Sequence, residues 1–131
     1  MESQSVIVQK SYRFALEIIK IYKFLKVEFN EFVLSKQILR SGTSIGANIN
    51  EAQSAESKSD FVHKMSISLK EARETLYWIN LLTDSGFISK KESKFLKDSC
   101  TEIIKILKSI ILTTKEKYIT KTQNSELRTQ N

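Results

Sequence analysis

Proline is absent from all 131 residues and glycine occurs only three times, so nothing forces the backbone out of a helix over most of the chain. What remains is to ask where the apolar residues fall. Between Ser5 and Lys26 the side chains of Ile7, Val8, Tyr12, Phe14, Ala15, Ile18, Ile19, Ile21, Tyr22 and Leu25 recur with the helical period. Projected at about 100° per residue they fill roughly half of the helix circumference, more than the ~100° that one core-facing stripe needs. Part of this face is therefore left for a second surface. Residues Val27 to Glu31 carry the turn, with Asn30 as a cap for a second helix that reaches about Ser57 and whose stripe is Leu34, Ile38, Ile45, Ile49 and Ala52. Ser59 or Asp60 then caps a third helix to about Asp84, carrying Phe61, Met65, Leu69, Ala72, Leu76 and Ile79 on a narrow arc. Gly86 supplies a stop. Ser89 followed by Glu92 makes a capping-box pattern for a fourth helix with Leu96, Cys100, Ile103, Leu107, Ile110 and Ile111 at heptad-like spacing.

Four amphipathic helices with short connections predict an all-α fold, an antiparallel up-down-up-down four-helix bundle. The bundle occupies residues 1–120, and the Thr, Gln, Asn and Ser-rich residues 121–131 lack an apolar period and predict a disordered polar tail. One domain of this length hides roughly two-thirds of its unfolded surface and needs no staple. A single Cys100 and a single His63 cannot assemble a zinc site or a Cys/His nucleophile pair, and Asp60 with His63 offers at most half of a di-iron motif, so no metal or cofactor is expected. Lys105 and Lys108 interrupt the richest apolar run, so no membrane span is expected. The first residues lack the apolar stretch of a signal peptide, which makes the cytoplasm the expected location.

The charge is uneven. A net +6 divides into +2 for residues 1–30, −1 for 31–88 and +5 for 89–131. On the fourth helix Lys90, Lys94, Lys97, Lys105, Lys108 and Lys115 fall within a sector of roughly 80°, a stripe about 35 Å long, and Lys10, Arg13, Lys20 and Lys23 stand on the polar face of the first helix. Lysines neutralise phosphates without reading bases, so these ten residues predict largely sequence-independent binding of RNA or DNA. A solvated lysine face is the plain alternative. Gly42 and Gly46 lack the Gly-Lys-Ser/Thr of a phosphate loop and read as a close helix contact. Glu51, Glu71 and Glu74 raise the question of a carboxylate pair, with Arg40 and Arg73 as counter-charges, but no nucleophile or second histidine accompanies them, and structural hydrogen bonding with Ser44, Asn48 and Trp78 is the favoured reading.

The run Ser41-Gly42-Thr43-Ser44-Ile45-Gly46-Ala47-Asn48-Ile49-Asn50-Glu51-Ala52, followed by Phe61, Lys64, Ser68, Leu69, Lys70, Glu71, Ala72, Glu74, Thr75 and Tyr77-Trp78-Ile79, resembles the bacterial four helix bundle protein family encoded in intervening sequences of 23S ribosomal RNA genes. The accessory variability determinant of diversity-generating retroelements is a relative of that family. The resemblance spans about residues 10–118 and implies an antiparallel bundle that assembles as a homopentamer, without an established catalytic residue. It implies bundle and subunit packing for Ser41, Gly42, Ser44, Ile45, Gly46, Asn48, Ile49, Glu51, Glu71, Glu74 and Trp78. The lysine stripe lies outside the motif. Sequence thus predicts a non-enzymatic oligomeric scaffold that binds nucleic acid, or alternatively an interaction module that recruits a protein such as a reverse transcriptase.

Overall fold

The structure, a computed structural model, describes the backbone of residues 2–130 and the side chains of residues 4–117 and 123. Four helices follow in order: α1 (Glu2–Phe29), α2 (Leu34–Ala52), α3 (Lys58–Asp84) and α4 (Lys90–Gln130). No strand occurs among the described residues. The helices form an antiparallel ring in which each touches its two neighbours and the diagonal pairs stay apart. The core is aliphatic. Ile7, Phe14, Ile18, Ile21 and Leu25 of α1 meet Ile38, Ile45 and Ile49 of α2, Met65, Ala72 and Ile79 of α3, and Leu96, Cys100, Ile103 and Leu107 of α4.

α2 has the weakest intrinsic helicity, since each of its two glycines costs about 1 kcal/mol against alanine. Both positions lie against α1. A Cβ on Gly42 would fall 2.8 Å from the Ile18 side chain, and one on Gly46 would fall 3.3 Å from Ser11 Oγ. The α1–α2 approach therefore uses the absent methyl groups. α2 and α3 are joined through polar contacts inside the core: Ser68 donates to the Ile45 carbonyl at 2.8 Å, and Thr75 Oγ1 lies 2.9 Å from Ser41 Oγ. Across α3 and α4 the Cys100 thiol donates to the Ala72 carbonyl at 3.2 Å. α1 and α4 make the thinnest seam, spanned by the ion pair Lys10–Glu102 at 2.8 Å.

The termini of the helices differ from expectation in three places. The first is the end of α2, which stops at Ala52 and not near Ser57, the chain leaving it through turn bonds from Ser54 N–H to the Glu51 carbonyl and from Ala55 N–H to the Ala52 carbonyl. Asn30 ends α1 with a left-handed φ of 51°, its N–H returning to the Lys26 carbonyl, and it does not cap α2. Glu31 does so instead. Its carboxylate accepts from the N–H groups of Val33, Leu34 and Ser35 at 2.7–3.1 Å, which satisfies donors that helical geometry leaves free. The cap of α3 is Ser57, which accepts from the Asp60 N–H, while Asp60 reaches back to the Glu56 N–H. Neither Ser59 nor Asp60 is the capping residue. Ser89 does accept from the Glu92 N–H, at 3.2 Å. Gly86 stands at φ 85° and closes α3 with paired bonds from Gly86 N–H to Thr83 O and from Phe87 N–H to Leu82 O.

α4 is helical to Gln130, through the segment for which composition predicted a disordered tail, and Asn131 lies outside the described residues. With no proline or glycine after Gly86, nothing interrupts the backbone ladder there.

Candidate nucleic-acid interface

The ten cations expected to contact nucleic acid occupy two separate surfaces. On α1, Lys10, Arg13, Lys20 and Lys23 line an open groove of about 570 Å³ along the α1–α4 seam. Its α4 wall consists of Phe95, Ser99, Glu102 and Ile103, and none of the six stripe lysines contributes to it. The stripe itself lies about 155° round α4 from that wall, nearer to Cys100, whose thiol meets α3. The structure therefore groups the cations of each helix and does not bring the two groups together.

Within the stripe the lysines are not equivalent. Lys94 donates to Asp98 at 2.8 Å, and that hydrogen bond, with the charge behind it, raises the pKa of the ammonium above its ordinary value. Lys90, Lys97, Lys105, Lys108 and Lys115 have no carboxylate within ion-pair distance among the described residues. Lys97 is half-buried, and the others are exposed. Arg73 joins them. It follows Ala72, whose carbonyl receives the Cys100 thiol, so this exposed residue stands level with the middle of the stripe. Sequence reasoning treated Arg73 only as a counter-charge for carboxylates, because the register of α3 against α4 is invisible before packing is known.

In the groove, by contrast, Lys10 is bound to Glu102 and Lys20 to Glu17 at 3.1 Å. Arg13 and Lys23 have no such partner among the described residues. Leu16 and Phe95, both exposed, stand in the same groove and were not singled out from sequence.

The glutamates divide as well. Glu71 and Glu74 both pair with Arg40, the former at 3.3 Å, and Trp78 Nε1 donates to Glu74 at 3.0 Å. Glu51 faces Lys64 at 3.6 Å instead, so a carboxylate pair of Glu51 with either of the other two is not assembled. Ser44 and Asn48 direct their donors within α2, to the carbonyls of Arg40 and Ser44, and not to a bond across to α3. Besides those of Arg40, the hydrogen bonds between α2 and α3 come from Ser68 to the Ile45 carbonyl and from Thr75 to Ser41. Cys100 is buried, and desolvation pushes its thiol up to about 12. His63 is exposed. Among the described residues no group of three or more His, Cys, Asp or Glu side chains is placed to hold a metal ion, and no helix is long and apolar enough to cross a membrane.

A family profile described as 23S rRNA-intervening sequence protein matches residues 3–109. Among solved structures, a protein of unknown function from the S23 ribosomal protein family of Bacteroides thetaiotaomicron is 51% identical, superposes with a TM-score of 0.82, and aligns over 83% of this chain and 97% of its own. No curated protein matches the chain.

Proposed function

The chain belongs to the 23S rRNA-intervening sequence protein family, and on that premise we propose that it is a non-enzymatic helical scaffold that binds RNA or DNA largely without regard to sequence. One observation carries this reading: the α3–α4 flank presents Lys90, Lys97, Lys105, Lys108 and Lys115 with Arg73, all without carboxylate partners among the described residues. Paired lysines hold little charge in reserve, whereas unpaired ones attract phosphates and release their counterions on contact. The spacing from Lys90 to Lys115 matches about one turn of a duplex. Lysine dominates the set, so the surface fits the phosphate backbone and not the base edges.

The scaffold acts as a homo-oligomer, for which the family resemblance implies five copies. Tyr12, 64% exposed, stands over a groove of about 430 Å³ between α1 and α2 with Ala15, Gly46 and Ala47 among its lining residues, a surface that a second copy would cover. Repetition of the cationic flank around a ring multiplies the contacts available to one nucleic acid. Light scattering behind a sizing column tests the assembly: a pentamer of this 15.1 kDa chain has a mass of about 75 kDa, and a mass of one chain at micromolar protein refutes it.

Binding is tested by fluorescence anisotropy of labelled structured RNA, duplex DNA and single-stranded DNA at two salt concentrations. Affinity is expected to fall steeply as salt rises and to vary little with sequence. Absence of binding at low salt refutes the reading and moves the search to a protein partner.

A further inference from the structure

The α1–α4 groove differs in chemistry from the lysine stripe, and we propose that it is a docking site for an acidic amphipathic helix of a partner protein. Three observations support it. First, α1 and α4 form the thinnest seam of the ring, so the bundle leaves a channel here that is open to solvent and about 20 Å long from Lys10 to Lys23. A helix laid against two others fits such a channel. Secondly, Leu16 and Phe95 stand in the channel 45% and 57% exposed, whereas Phe14 and Ile103 of the same lining are buried in the core. Half-buried Ile19 lies beside them. These side chains gain from an apolar stripe on the occupant, which a phosphate backbone does not offer.

Thirdly, the charges specify the sign of the occupant. Lys10 and Lys20 are neutralised by Glu102 and Glu17, so the surplus resides on Arg13 and Lys23. They lie ten residues apart, about 15 Å along α1, and straddle Leu16 on the helix surface. An occupant helix with two carboxylates about three turns apart, flanking an i, i+3, i+7 apolar stripe, meets both cations and covers Leu16, Ile19 and Phe95. This inference does not depend on the nucleic-acid reading, which uses the opposite flank of α4.

The test uses the full chain and two labelled synthetic peptides of about five helical turns. One carries a leucine stripe with two glutamates about three turns apart, and the other has lysines in their place. Circular dichroism confirms that each protein variant remains folded, as the exposure of Arg13, Lys23 and Leu16 leads one to expect. The wild-type chain is expected to bind the acidic peptide and not the basic one. Arg13→Glu with Lys23→Glu is expected to weaken the acidic peptide on the order of tenfold or more and to admit the basic one. Leu16→Ser is expected to weaken the acidic peptide alone by several-fold. Equal binding of both peptides, or binding unchanged in these variants, overturns the proposal. Loss of RNA binding in the Arg13 and Lys23 double variant overturns it in favour of a nucleic acid as the occupant, and loss of self-association in Leu16→Ser overturns it in favour of a second copy.

Discussion

An alanine at position 42 would place its Cβ 2.8 Å from two carbons of Ile18, closer than packed atoms tolerate. Helix propensity favours the change by about 1 kcal/mol, but overpacking of a filled core costs about 1–3 kcal/mol. Gly42→Ala is therefore expected to lower stability in urea, and Gly46→Ala to do so less, since its nearest contact is a serine hydroxyl at 3.3 Å that can rotate. Glu31 offers a prediction in pH. Burial works to raise its pKa, yet the N–H groups of Leu34, Ser35 and Val33 and the Ser35 hydroxyl outweigh burial and hold the carboxyl below its ordinary value. A group with a lowered folded pKa stabilises the fold above its unfolded value and loses that contribution as pH falls through the folded one. Glu31→Gln is thus expected to cost about 1 kcal/mol at neutral pH, and the gap to the parent chain to close under acid. Cys100 gives a third test. With its thiol at about 12 and its hydrogen donated to Ala72, it is expected to resist thiol reagents at pH 8 in the folded chain and to react on unfolding.

At the level of helices, the apolar stripes were readable because burial follows the 3.6-residue period directly: all six α4 positions, from Leu96 to Ile111, are buried. The ends were less readable. A carboxylate two or three residues before a helix can reach its free N–H groups only if the preceding turn folds back, and the positive φ at Asn30 that turns the chain is not visible in composition. The wide apolar face of α1 resolved into two parts, with Phe14 and Ile18 in the core and Tyr12 in solvent. The polar ridge on α2 and α3 was visible, but its pairing was not, because helix register decides which side chains meet. Arg40 bridges Glu71 and Glu74 across that pair, and Trp78 reports on it through its bond to Glu74. Arg40→Ala is expected to cost about 1 kcal/mol or less, given its partial exposure, and to shift the emission of this single tryptophan.

In the whole molecule, the net charge of +6 conceals two cationic surfaces with different company. Ten of their cations could be named from sequence and Arg73 could not, because a helical wheel describes one helix at a time and cannot say which wheels share a surface. The bundle places the α1 cations among apolar side chains and glutamates, and leaves the α4 lysines with Arg73 on a polar flank. The central claim is that nucleic acid binds on the second surface. The direct measurement is anisotropy of one labelled RNA hairpin with the parent chain, with Lys97→Glu plus Lys108→Glu, and with Arg13→Glu plus Lys23→Glu. Both double variants lower the net charge equally, so a general charge effect weakens them alike. The account predicts a loss of at least about tenfold in the first and near-parent affinity in the second. Equal losses, or a loss confined to the second, would contradict it.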